Sequence, residues 1–326
     1  MGFVAGGVVL VTGGAGYVGS VVVDELLARG YSVRVLDSLA HGSVPSLFLA
    51  WGDPRFEFVR GDVRDPDARR GALRNVEAVV HLAAIVGDPA CARQPEVARA
   101  VNYEATKALV DDAKAAGIER FVMASTCSNY GKMSAADLAT EDFELRPVSL
   151  YAETKVAAEV EVLSRNGTLA PCCLRFATVF GTSPRMRFDL TVNEFTRDIA
   201  LKGELVVYGE QFWRPYVHVR DAARAVVLAL GAPRDAVAGK VYNVGDGRSN
   251  YRKLDLVEFL RKRFPEATVE FVHKDEDPRD YRVSFERIAA GLNFEAERSV
   301  EDGIDEVVTL LDSGLLDDPY SPAYRN

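Results

Sequence analysis

Cysteine, histidine and tryptophan are scarce in this 326-residue chain, with four, four and two residues. Cys91, Cys127, Cys172 and Cys173 form no C-x-x-C pair, and neighbours on a strand point to opposite faces, so Cys172 and Cys173 have poor geometry for a bridge. Reduced thiols and a cytoplasmic location are expected. No histidine stands in a ligand spacing such as H-E-x-x-H, so no metal site is expected. No apolar run approaches the roughly 20 residues of a membrane span. The opening MGFVAGGVVLVTGG lacks a basic leader and is not read as a signal peptide. Basic excess is also lacking: 48 acidic against 39 basic residues give a net charge of -9. Bulk attraction to nucleic acid or anionic lipid is not expected, and an anionic ligand needs a local cluster of arginines.

What remains is an ordinary globular composition, 48% hydrophobic and 27% charged, in a chain long enough for two lobes. The first half alternates short apolar strands, Val8–Thr12, Ser32–Leu36, Phe56–Val59, Ala78–Leu82 and Phe121–Ala124, with helical stretches. One long helix is expected over 95–116, with Val97, Val101, Ala105, Ala108 and Leu109 on one face. Such alternation predicts an α/β fold, a doubly wound parallel sheet of the Rossmann kind. The second half is less regular, with helices at 149–165, 191–201, 252–263 and 300–311 and strands at 171–176, 205–208 and 241–244. We expect a dinucleotide-binding domain from 1–182 and 217–247, and a smaller, discontinuous substrate lobe from 183–216 and 248–326. The polar tail 317–326 is expected to be loose or docked on a neighbour.

Thr12–Gly19 reads TGGAGYVG between an apolar strand and an amphipathic helix. Gly13 permits the turn, Gly16 lets backbone approach a pyrophosphate at the helix N-terminus, and Gly19 permits close packing. A structural glycine turn would look the same without that context. Asp37 ends the second strand, where a carboxylate accepts bonds from an adenosine ribose and repels a 2′-phosphate, which favours NAD over NADP. Asp62 in GDVRD is either an adenine contact or a loop cap.

Tyr151 and Lys155 form Y-x-x-x-K on one helix face. A surface tyrosine and a solvated lysine give the same spacing. An adjacent ammonium can lower a phenol that otherwise ionises near pH ~10, which makes it usable as a base. The fifth strand ends in the hydroxyl run Ser125-Thr126-Cys127-Ser128, at the sheet edge that faces ligand in doubly wound folds.

In this order, the glycine loop, Asp37, GDVRD, HLAA, Asn102, the hydroxyl run ending in Tyr130-Gly131, YAETK, the strand around Arg175 and RPYVHVRDAARA span nearly the whole chain. Together they resemble the extended short-chain dehydrogenase/reductase family, in particular its nucleotide-sugar epimerases and dehydratases of the UDP-glucose 4-epimerase kind. The resemblance implies NAD lined by Gly13, Gly16, Tyr17, Val18, Gly19, Asp37, Asp62, Val63, Leu82, Ala83, Ala84, Asn102, Tyr151 and Lys155. It implies Tyr151 as base, Lys155 as its modulator and ribose contact, and Thr126 as hydroxyl partner. A nucleotide-diphosphate sugar would be met by Ser125, Thr126, Thr178, Arg185, Asn193, Arg214 and Arg279. Helices 95–116 and 149–166 would pair in a homodimer.

Two departures bear on the reaction. Dehydratases of the family carry an Asp-Glu pair after the catalytic Thr, where this chain has Cys127 and Ser128; many members carry Asn where it has Thr178. The reading is therefore an NAD-dependent epimerase, acting at C4 through a transient ketone. Its alternatives are a ketoreductase or dehydrogenase, an atypical dehydratase, and a non-catalytic dinucleotide-sensing protein.

Overall fold

The apolar strand runs of the first half are buried on both faces, which requires helices above and below the sheet. A computed structural model describes residues 6–134, 137–275, 277 and 279–326; the first five residues of the expected dinucleotide domain lie outside it. Seven strands form one parallel sheet: β1 (Val8–Thr12), β2 (Ser32–Asp37), β3 (Phe56–Arg60), β4 (Ala78–His81), β5 (Arg120–Thr126), β6 (Ala170–Phe176) and, later in the chain, Lys240–Val244. Their order is Lys240–Val244, β6, β5, β4, β1, β2, β3. The order reverses between β1 and β4, so a ligand crevice opens at the carboxyl ends of these strands.

Helix α1 (Tyr17–Ala28) follows β1, and α2 (Pro66–Ala72) follows β3 with Asp65 capping it. The single helix expected over 95–116 is broken. A separate helix, α3 (Asp88–Arg93), precedes it, and it comprises α4 (Pro95–Arg99), a π-helical turn at Ala100–Glu104 and α5 (Ala105–Ala115). Pro89 and Pro95 each open a new helix, and Asn102 sits inside the wide turn. Helix α6 (Leu150–Ser164) carries the YAETK motif and is capped by Ser149. Cys172 packs into the cluster on one sheet face and Cys173 into the other, and all four cysteines are free.

The remaining elements are β7 (Thr178–Phe180), α7 (Thr191–Lys202), β8 (Glu204–Tyr208), β9 (Trp213–His218), α8 (Val219–Gly231), α9 (Arg234–Val237), β10 (Lys240–Val244, the sheet's seventh strand), β11 (Asn250–Arg252), α10 (Lys253–Arg263), β12 (Thr268–Val272), α11 (Glu286–Leu292) and α12 (Val300–Asp312). Strands β7, β9 and β11 form a small mixed sheet, and β8 pairs with β12. A separate apolar cluster, with Phe180, Val192, Ile199, Tyr216, Val257 and Ile304, gathers these pieces beside the crevice. Tail residues Tyr324 to Asn326 dock on the chain itself. Phe188 N donates to Tyr324 O at 2.9 Å, and Arg93 donates to Asn326 O at 2.9 Å. Among the described residues no helix is long and apolar enough to cross a membrane.

Candidate active site

The glycine loop is a tight cradle. Gly13 has φ +73°, and a Cβ there would lie 2.7 Å from Ala83 N, so both conformation and space require glycine. A Cβ on Gly19 would stand 2.1 Å from Gly13 O, which closes the helix onto the loop. Gly14, missed in the motif reading, is filled from behind: its Cβ would strike Val35 at 2.6 Å. Gly16 is the N-cap of α1, and the first turn carries no acidic residue, so its amides remain a donor site for an anion.

Asp37 closes the cradle from β2. Its Oδ2 accepts from Ala15 N at 3.0 Å and Oδ1 from Leu39 N at 2.8 Å. Ser46, unflagged in sequence, lies in a short 3-10 helical turn (Val44–Leu47) and donates to Ala15 O at 2.8 Å. Asp62 is gripped by Arg64, with Nη2 to Oδ2 at 2.7 Å, and this partner holds its carboxyl below the usual range. That is the loop-cap geometry, although the carboxylate stays partly exposed. Val63 turns into the core. Leu82 N and Ala83 N donate to Thr12 O and Oγ1, which fixes the HLAA segment against β1. Beneath it His81 bridges Thr12 Oγ1 (2.7 Å) and Thr106 Oγ1 (2.8 Å), and burial lowers its pKa to about 3.

Two expected cofactor contacts take other roles. Asn102 is fully buried, and its amide is spent on Ile85, accepting from N at 2.8 Å and donating to O at 2.9 Å. It fixes the loop after β4 from below. The Tyr17 side chain points away from the cradle, donating to Gly181 O at 2.7 Å, so only its backbone and that of Val18 belong to the helix N-terminus.

Tyr151 lies in the first turn of α6 and keeps some exposure at the crevice. Lys155 is buried one turn on, and its Nζ donates to Ala124 O at 2.9 Å. Lys155 does not depress the phenol as expected. Desolvation pushes Tyr151 well above its ordinary value, Cys91, Asp88 and Tyr281 add to this, and Arg187 opposes it. Lys155 pays the same desolvation cost and is lowered to about 8.

Tertiary structure separates Ser125 from Thr126. Thr126 is the last residue of β5 and its Oγ1 accepts from Ser128 N at 3.1 Å. Ser125, expected to touch substrate, instead donates to buried Glu159 at 2.5 Å. Alternation along the strand sends the two hydroxyls to opposite faces. Glu159 is paired with Arg175 (Nη2 to Oε2, 2.7 Å) and receives Asn129 Nδ2 at 3.0 Å. Arg175 continues to Tyr130 OH at 3.0 Å, and Tyr130 donates to Asn243 Oδ1 at 2.6 Å. Sequence reasoning passed over Glu159, whose signal is a carboxylate four residues beyond Lys155, on the same helix face. Cys127 is buried with its thiol pushed well up by desolvation, and Ser128 Oγ lies 3.3 Å from Tyr281 OH.

Of the expected sugar contacts, Thr178 opens β7, half-buried and opposite Tyr216. Asn193 is fully buried and consumed by Gly181 N (2.9 Å), Arg187 O (2.9 Å) and Tyr17 OH (3.2 Å), so it ties the lobe to the cradle and leaves no group for a ligand. Arg185 is held by Arg325 O at 2.9 Å, so the docked tail has claimed it. Arg214 meets Asp277 at 2.7 Å and lies over the Tyr281 ring at 5.7 Å. Arg279 is half-exposed between Asp88 (3.7 Å) and Asp277 (3.6 Å). Among the described residues no cluster suited to a metal occurs.

A glycine cradle at a topological switch point, with a Tyr and a Lys on the helix beside it, defines a dinucleotide-dependent enzyme of the doubly wound class. The chain belongs to the NAD dependent epimerase/dehydratase family, whose model matches residues 9–245. It is 33% identical over 317 residues to a dTDP-glucose 4,6-dehydratase of Actinoplanes sp., covering 92% of this chain and 96% of that one. It is 34% identical over 244 residues to a UDP-glucose 4-epimerase of Mycolicibacterium smegmatis, covering 73% and 77%. Among solved structures, a dTDP-glucose 4,6-dehydratase from Streptomyces venezuelae with NAD bound superposes with TM-score 0.84 at 29% identity, covering 94% of this chain and 97% of that one.

Proposed function

We propose that this family member is an NAD-dependent nucleotide-sugar epimerase that inverts C4. The carrying observation is the pair after Thr126. Cys127 is a buried thiol held protonated and Ser128 is a hydroxyl turned to Tyr281, so no carboxylate stands there to protonate and deprotonate a departing hydroxyl. Tyr151, Thr126 and Lys155 remain as the proton-handling set, which inversion through a ketone needs.

The cradle fits the dinucleotide. Gly13 and Gly19 let the loop close on Ala83 and on itself, Gly16 caps α1, whose first turn supplies amides at Tyr17 and Val18, Asp37 supplies the ribose acceptor, and Leu82, Ala83 and Ala84 supply the wall. When bound, NAD would supply a two-electron acceptor and a positive charge. Desolvation holds the Tyr151 phenol above its ordinary value; a cation placed against it would favour the phenolate. The Tyr151 phenolate would take the C4 hydroxyl proton and, as the phenol, give that same proton back on inversion, with Thr126 orienting the hydroxyl and Lys155 held one helix turn on by Ala124 O. Arg214 and Arg279 balance a diphosphate, with Thr178 facing the sugar.

The substrate lobe is read as 183–216 and 248–326, and the NAD domain as 1–182 and 217–247. A cytoplasmic homodimer through α5 and α6 is in keeping with four unpaired cysteines and with Val160 of α6, which is 63% exposed.

The 33% identity to a dehydratase gives the second reading, an atypical dehydratase. NMR of product from UDP- and dTDP-hexoses incubated with the NAD-loaded protein separates them. Inversion at C4 without accumulation of reduced nicotinamide is expected. Loss of water or stoichiometric reduction of NAD would overturn the epimerase.

A further inference from the structure

Asp88 opens helix α3 and lines the crevice beside Tyr151. Its carboxylate faces two ways. Oδ1 accepts from Ser149 Oγ at 2.6 Å, and Ser149 in turn caps α6 by accepting from Ala152 N at 3.3 Å, two residues from Tyr151. Oδ2 lies 3.7 Å from Arg279 Nη1, on the segment that follows β12. The carboxylate therefore joins the start of the Tyr151 helix to an arginine across the crevice.

That arginine is weakly held. Both its ionic contacts, 3.7 Å to Asp88 and 3.6 Å to Asp277, are beyond hydrogen-bond length, and its side chain is 46% exposed. Arg214 contrasts with it, buried and bonded to the other oxygen of Asp277 at 2.7 Å. A phosphate offers a guanidinium two parallel bonds, which two distant carboxylates do not.

We propose that Asp88 is a positioning residue: it parks Arg279 over the crevice until an anionic substrate group takes it, while its other oxygen fixes the N-terminus of the helix that carries Tyr151. The inference rests on the reading of the substrate as a nucleotide-diphosphate sugar.

Calorimetric titration of the NAD-loaded full chain with UDP, dTDP and GDP tests it without turnover. Asp88→Asn frees Arg279 from a competing anion but still accepts from Ser149, so nucleoside diphosphate binding tightens roughly two- to fivefold. Asp88→Ala tightens binding equally and gives a kcat several-fold below that of Asp88→Asn, because Ser149 loses its acceptor. Ser149→Ala lowers kcat similarly and leaves diphosphate binding as in wild type. Unchanged or weaker binding in Asp88→Asn overturns the parking role, and equal kcat in the two Asp88 variants overturns the helix role. Failure of wild type to bind any of the three diphosphates would overturn the nucleotide-sugar reading itself, and the role of Asp88 with it.

Discussion

Lys155 spends its ammonium on the carbonyl of Ala124, at 2.9 Å, inside a pocket that leaves it 3% exposed. A charge so enclosed destabilises the fold at neutral pH. The sign follows from its lowering to about 8. Below that pH the ammonium is present in both folded and unfolded chains and the full burial cost is felt. The cost fades as pH rises toward the ordinary lysine value. Wild type should therefore gain about 3 kcal/mol relative to Lys155→Met on going from below pH ~8 to above ~10.5. Urea unfolding of both proteins across that window checks this; parallel stability curves would show that Lys155 is not held at a lowered pKa.

His81 sets the opposite limb. Its neutral ring bridges Thr12 and Thr106, and burial depresses it to about 3. The stability tied to the neutral ring is complete above the unfolded pKa near ~6.5 and is lost as pH falls toward the folded value. His81→Asn should flatten the acid side of the stability curve, removing up to ~1.4 kcal/mol per pH unit between about 6 and 4. Thermal unfolding of the two proteins across this range checks it.

Glu159 and Arg175 form a buried pair beside β5. Removing one member leaves an uncompensated charge, so Arg175→Met should cost about 3–5 kcal/mol, and Glu159→Gln, Arg175→Met together should cost less than the sum. Because Glu159 lies one turn beyond Lys155 on α6 and anchors Ser125, the neighbour of Thr126 on β5, kcat should fall with Glu159→Gln although Glu159 does not line the crevice. Denaturant midpoints for the double-mutant cycle, with kcat alongside, measure both.

Gly19→Ala places a methyl carbon 2.1 Å from the backbone oxygen of Gly13. Backbone cannot yield as a side-chain tip can, so about 1–3 kcal/mol of stability is expected to go, with loss of NAD binding. Gly247→Ala, where a Cβ meets nothing within 4 Å, is the control. Thermal shift with and without NAD reports both effects.

Tyr151→Phe should lower turnover of the true nucleotide sugar by at least about 10²-fold while NAD still binds. Turnover within a few-fold of wild type would remove Tyr151 as the base.

The sequence by itself determined the parts that depend on local rules. Alternating apolar runs and helices dictate a parallel sheet, and Gly13 and Gly19 dictate the cradle, because backbone twist, side-chain periodicity and steric room act over a few residues. It also put Tyr151 and Lys155 on one helix turn. Tertiary structure alone decided where polar groups spend their bonds. Strand alternation shows that Ser125 and Thr126 diverge, but only packing of α6 against β5 gave Ser125 to Glu159. Asn193 and Arg185 read as ligand contacts until the fold brought Gly181 and the tail to them. The carbonyl of Ala124 that takes the Lys155 ammonium was likewise set by the fold. Buried donors and acceptors must be satisfied by whatever the fold brings within about 3 Å, and those neighbours are set by contacts distant in the chain.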